Sequence, residues 1–147
     1  MVGETCDLRG ERVLLVHTND DFVESLSEAL AGDGCNVQHA ETAAEGLGLV
    51  GLFRPLVVVT GLLLEAHDSG FRLTEEIKRN PLTAHIGVVM VTANRERTGY
   101  EFSQERDGSW MRTDRYFEMP VETAAVVRAV QEVMSAAKEA REALETS

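Results

Sequence analysis

Pro55-Leu56-Val57-Val58-Val59-Thr60-Gly61 is the most strand-like stretch of the 147-residue chain. Four consecutive large apolar residues, three of them β-branched, follow a proline and lead through Thr60 to a glycine. Such a run has no polar face, so it reads as a strand buried on both sides, as in a parallel sheet covered by helices.

Working outward from that stretch, Arg12 to Val16 followed by His17 is a second apolar run bounded by polar residues, and Ile86 to Val91 is another. Asn36 to Ala40 and Tyr116-Phe117 are shorter strands. Helical patterns lie between them. Asp21-Phe-Val-Glu24 reads as a capping box opening a helix with Phe22, Leu26, Ala29 and Leu30 on one face, stopped by Gly32 and Gly34. Thr42-Ala-Ala-Glu45 is a second box. Its helix carries Gly46, Gly48 and Gly51, each costing about 1 kcal/mol against alanine, so a short or mobile helix is expected there. A helix over 71–79 ends at Asn80-Pro81. A last helix runs from about 122 to the C-terminus, with Val126, Val127, Val130, Val133 and Met134 facing the core. Residues 94–113 are polar, interrupted by Gly99 and Gly108, and leave one helix, two helices or a loop open.

Strands alternating with helices at this spacing imply an α/β fold, a flavodoxin-like doubly wound sheet of five parallel strands with helices on both faces. The expected organisation is an N-terminal segment (1–10), one domain (11–135) and a C-terminal helical extension (136–147). In such a fold ligands bind at the carboxyl ends of the strands, which points to His17-Thr18, Gly61, Thr92 and Met119.

Composition narrows the function. Net charge is −11, from 25 acidic and 14 basic residues, a field that disfavours a phosphate backbone, so no nucleic-acid partner is expected. Twelve of the basic residues are arginines and two are lysines, Lys78 and Lys138. The first residues lack the apolar stretch of a signal peptide, and no run approaches the roughly 20 residues that span a bilayer. Cys6 and Cys35 have no metal-type spacing and read as free thiols of a reducing compartment. A cytoplasmic protein without membrane contact is expected.

Five features in order, over residues 11–135, resemble the response-regulator receiver family. They are Val13-Leu-Leu-Val16, Pro55 before the third strand, and Val89-Met-Val-Thr92-Ala93. The Asp68-Ser69-Gly70-Phe71 turn stands where the family has Asp-Gly-Phe, with one residue inserted. Tyr116-Phe117-Glu118-Met119-Pro120 stands where the family has aromatic-x-x-Lys-Pro. The resemblance implies a pair of acids holding Mg²⁺ after the first strand, an aspartate accepting a phosphoryl group after the third, and a lysine bonding it. These positions align with His17 and Thr18, with Gly61, and with Met119, and only Thr92 matches the family. No small shift restores them. There is no aspartate between Asp33 and Asp68, no lysine between Lys78 and Lys138, and no acid between Glu11 and Asp20.

The reading is therefore a stand-alone pseudo-receiver, not an enzyme, with no metal and no cofactor. It would act as a phosphorylation-independent interaction module for a sensor kinase, another regulator or a second copy of itself. Thr92 and Tyr116 match the pair that in the family relays phosphorylation to the surface of its fourth helix, fifth strand and last helix. Trp110, in the 94–113 stretch, marks a possible interaction face with them, since aromatics and Arg are enriched at interfaces. Two other readings stand beside this one. The first is a Mg²⁺-dependent receiver accepting phosphate on an unconventional residue such as Asp68. The second is a ligand-binding flavodoxin-like domain. Separately, His17 and His67 with Asp20 or Asp68 are of types that can bind a transition metal, but with no fixed spacing they read as ordinary polar loop residues.

Overall fold

The Leu56–Thr60 run is the centre of the sheet. The computed structural model describes residues 10–61, 69–92, 115–118 and 121–146. Its strands are β1 (Arg12–Val16), β2 (Asn36–Ala40), β3 (Val57–Thr60), β4 (Gly87–Thr92) and β5 (Arg115–Glu118). They form one sheet in the order β2-β1-β3-β4-β5, every neighbouring pair parallel. This is the flavodoxin-like arrangement read from the sequence.

Alternate residues of the central strands face opposite layers, as the period of two requires. Val13, Leu15, Val57, Val59, Val89 and Val91 pack against α1 (Asp20–Gly32) and α4 (Thr123–Thr146). Leu14, Val16, Val58 and Val88 pack on the other face with Val50 of α2 (Ala43–Phe53) and Leu73 and Ile77 of α3 (Ser69–Arg79). Two cores on two faces explain why β1, β3 and β4 carry no polar alternation, whereas the edge strand β2 exposes Asn36 and Gln38.

The helix starts are set by local hydrogen bonds. Asn19 caps α1, its Oδ1 accepting the Phe22 N–H at 3.0 Å. The expected cap, Asp21, instead lies with Asp20 in the first turn, where a negative charge complements the helix dipole. At α2 the Thr42 hydroxyl accepts the Glu45 N–H (3.1 Å), and the Glu45 carboxylate accepts the N–H of Glu41 (3.2 Å) rather than that of the cap.

The glycines of α2 have separate roles. The helix runs for 11 residues, so the short element expected from its composition is not found. Gly46 is buried, and a β-carbon there would stand 2.8 Å from Cγ2 of Val16. This glycine lets the helix settle on β1. Gly48 and Gly51 face open space. A similar close approach occurs at Gly87, where a β-carbon would run into the side chain of Val133 on α4.

Packing of α4 continues past residue 135. Ala137 is buried, and Lys138 and Arg141 reach Glu11 beside β1 at 3.5 and 3.3 Å. Among the described residues no helix is long and apolar enough to cross a membrane.

Candidate functional site

The chain turns from β1 to β2 on one side and returns to β3 on the other. The carboxyl ends of β1 and β3 therefore flank the point where strand order reverses, the usual ligand position of this fold. The register places Val16, Thr60 and Met90 in one row. The next residues, His17, Gly61 and Val91, form the row above it. The Gly61 N–H still donates to the Val16 carbonyl (3.0 Å), and the His17 N–H to that of Ala40 (3.2 Å), so the ladder extends one step beyond the assigned strands.

His17 organises this row. It is 5% exposed, and its ring lies 4.9 Å from that of Phe22 on α1. The Asn19 N–H donates to Nδ1 at 3.1 Å. That nitrogen therefore presents a lone pair, and the proton sits on Nε2, which donates to the Val91 carbonyl at 2.9 Å. His39 of β2 donates from its Nε2 to the His17 carbonyl at 3.0 Å. Because β3 lies between β1 and β4, the His17–Val91 bond passes over the end of β3, at Gly61. A side chain at residue 61 would continue the direction of Val57 and Val59, toward the α1 layer and the path of the ring.

The other residues singled out in the sequence fall around this row. Thr18 is exposed, and the Thr60 hydroxyl donates to the Gly61 carbonyl at 2.9 Å. Thr92 is fully buried, and its hydroxyl has no hydrogen-bond partner among the described residues. Tyr116 pairs with Met90 in register, which puts it on the same face of the sheet as Thr92, one diagonal step away. Met119, Trp110, His67 and Asp68 lie outside the described residues. Sequence reasoning missed Asn19, His39 and the Val91 carbonyl as partners of His17. Asn19 carried a signal, being a cap-type residue directly before the helix. Nothing local connects residue 17 with residue 91.

A family model described as the response regulator receiver domain matches residues 13–104. The chain belongs to the response-regulator receiver family. It is thus a receiver domain of two-component signalling. Solved structures agree on the fold. A sensor protein from Polaromonas sp. JS666 is 19% identical, with a TM-score of 0.73 over 86% of this chain and 98% of that one. A CheY-like receiver domain protein from Methanospirillum hungatei JF-1 is 21% identical (TM-score 0.70, 88% and 98% covered). The receiver domain of a sensor histidine kinase from Pseudomonas aeruginosa PAO1, with a magnesium ion coordinated in its active-site cleft, is 19% identical (TM-score 0.68, 86% and 98% covered). No curated protein matches the chain.

Proposed function

We propose that this receiver is degenerate and works as a phosphorylation-independent interaction module, not as an enzyme. The observation that carries the reading is His17. The resemblance places a metal-holding acid there, and the residue present is a neutral imidazole with both ring nitrogens engaged by the protein's own backbone.

The described residues do not fit Mg²⁺. That ion takes hard oxygen donors, usually one or two carboxylates. At the ends of β1, β3 and β4 the described residues are His17, Thr18, Gly61 and Thr92, none of them an acid. Asp20 and Asp21 open α1 and are exposed. Glu118 stands opposite Thr92 on β5, three strands from β1. Among the described residues no group of three metal-capable side chains converges. The relative from Pseudomonas aeruginosa holds magnesium in its cleft, whereas here a ring bonded from β1 to β4 fills the corresponding row.

With no phosphoryl group to sense, regulation passes to the availability of a partner. A sensor kinase, a second regulator or another copy of this chain suits a receiver fold, and the edge formed by β5 and α4, near Thr92 and Tyr116, is the face it would use. Incubation with acetyl phosphate and Mg²⁺, followed by intact-mass measurement, tests the reading. The mass should stay unchanged, and beryllofluoride should leave the amide spectrum unmoved. A Mg²⁺-dependent adduct of about 80 Da, one phosphoryl group, would favour the competing reading of an unconventional acceptor such as Asp68.

A further inference from the structure

The opposite end of the sheet, where the strands begin, carries a different chemistry. A cavity of about 540 Å³ opens there between the start of β1, the end of α2, the turn after α3 and the far part of α4. Three arginines from distant parts of the sequence, Arg12, Arg54 and Arg141, line it. No acidic side chain is among its lining residues. In a chain of net charge −11, three guanidinium groups around one cavity, only that of Arg141 paired with a carboxylate (Glu11, 3.3 Å) among the described residues, stand against the prevailing field.

The arginines are held in place. Arg12 donates from Nε to the Arg54 carbonyl at 3.1 Å, and its guanidinium lies 6.0 Å from the ring centre of Phe53. Arg54 occupies the left-handed position after α2, with φ of 56°, which turns the chain out of the helix at the rim. Arg141 is fixed by Glu11. The floor is apolar, formed by Val50, Leu56 and Ile86. Leu82 lines the mouth while 80% exposed, and Leu52, in the last turn of α2, is 86% exposed. Planar guanidinium forks bind carboxylates in pairs of parallel hydrogen bonds, and an apolar floor with Arg at the rim is the composition of an interface anchor site.

We propose that this cavity binds an acidic peptide segment of a partner protein, with an apolar side chain seated on the floor and flanking Asp or Glu carboxylates on the arginines. The volume falls in the range of pockets that bury one compact group. The exposed leucines favour a peptide over a bare anion. The strongly negative remainder of the molecule disfavours nucleic acid and an anionic bilayer, both of which would be repelled around the cavity. The proposal goes beyond the reading of the strand ends and holds whether or not phosphate is accepted there.

Selection of a random peptide library against the full chain tests it, followed by fluorescence anisotropy of the recovered peptides. Recovered sequences should pair Asp or Glu with Leu, Ile or Phe, and their affinity should fall with added salt. Arg54→Gln and Arg141→Gln should each weaken binding about tenfold, the order expected for one charge-assisted hydrogen bond. Leu82→Ser, an exposed position whose substitution leaves the core intact, should weaken it as well. Versions with Lys in place of Asp and Glu should not bind. Failure to enrich acidic peptides, affinity in all three variants unchanged from that of the unaltered chain, or binding confined to phosphatidylglycerol vesicles would each overturn the proposal.

Discussion

The imidazole of His17 and the backbone carbonyl of Val91 are joined by a 2.9 Å hydrogen bond that spans β3 at its glycine terminus. The bond links β1 to β4 across β3, at the position where this fold ordinarily holds its ligand.

Gly61→Asp should therefore fail to create a phosphorylation site. Its carboxylate would enter the space crossed by the His17 ring, and no acid stands among the described residues at the ends of β1, β3 and β4 to hold a metal beside it. Acetyl phosphate with Mg²⁺ should give no adduct by intact mass, and urea denaturation should show a loss of about 1–3 kcal/mol from overpacking and burial of the carboxylate. Recovery of a phosphoryl adduct by this single change would mean that the row is laid out differently.

Truncating the ring removes two partners at once. His17→Ala leaves the buried Val91 carbonyl to find another partner, at about 1–3 kcal/mol if it does not, and removes the ring packed against Phe22, while the N–H of the exposed Asn19 can turn to water. A combined loss of about 2–4 kcal/mol is expected in urea titration. A change within 0.5 kcal/mol, the size typical of a surface site, would show that the bonds to the ring contribute little.

The glycines of α2 should respond with opposite signs. Gly46→Ala brings a β-carbon against the stiff, branched Val16 and should destabilise by about 1–3 kcal/mol. Gly48→Ala meets open space and should stabilise by about 0.5–1 kcal/mol through helix propensity. Thermal melts of the two variants side by side decide the matter. Shifts of the same sign would contradict the packing of α2 on β1.

Thr92 offers a cleaner separation of stability from signalling. Its hydroxyl is buried without a partner among the described residues, so Thr92→Val keeps the shape and removes a desolvated polar group. Stability should hold or rise by up to about 1 kcal/mol, and the affinity for any partner found on the β5–α4 edge should be unchanged. A loss of partner binding without loss of stability would show that the hydroxyl still transmits a signal.

How much of this was legible in the sequence follows from the range of each interaction. The branched runs at Leu56–Thr60 and Ile86–Val91 announced buried parallel strands because burial on two faces leaves a purely local mark. The cap of α2 at Thr42 was readable for the same reason. The cap of α1 was misplaced by two residues because Asp21 and Glu24 formed a plausible box, while Asn19 had the backbone conformation that presents Oδ1 to Phe22. Gly46 looked like a weak point because propensity scales contain no neighbour, and its neighbour is Val16 on another element. The tie between His17 and Val91, and the meeting of Arg12, Arg54 and Arg141, depend on chain crossings that no local pattern encodes.

Glycine at residue 61 and histidine at residue 17 also constrain each other's replacement. An aspartate introduced at residue 61 first would meet the ring, and removal of the ring first would leave the groups it holds. Either single step is expected to pass through a less stable protein. The two positions therefore behave as a coupled pair, whose members are exchanged together more easily than one at a time.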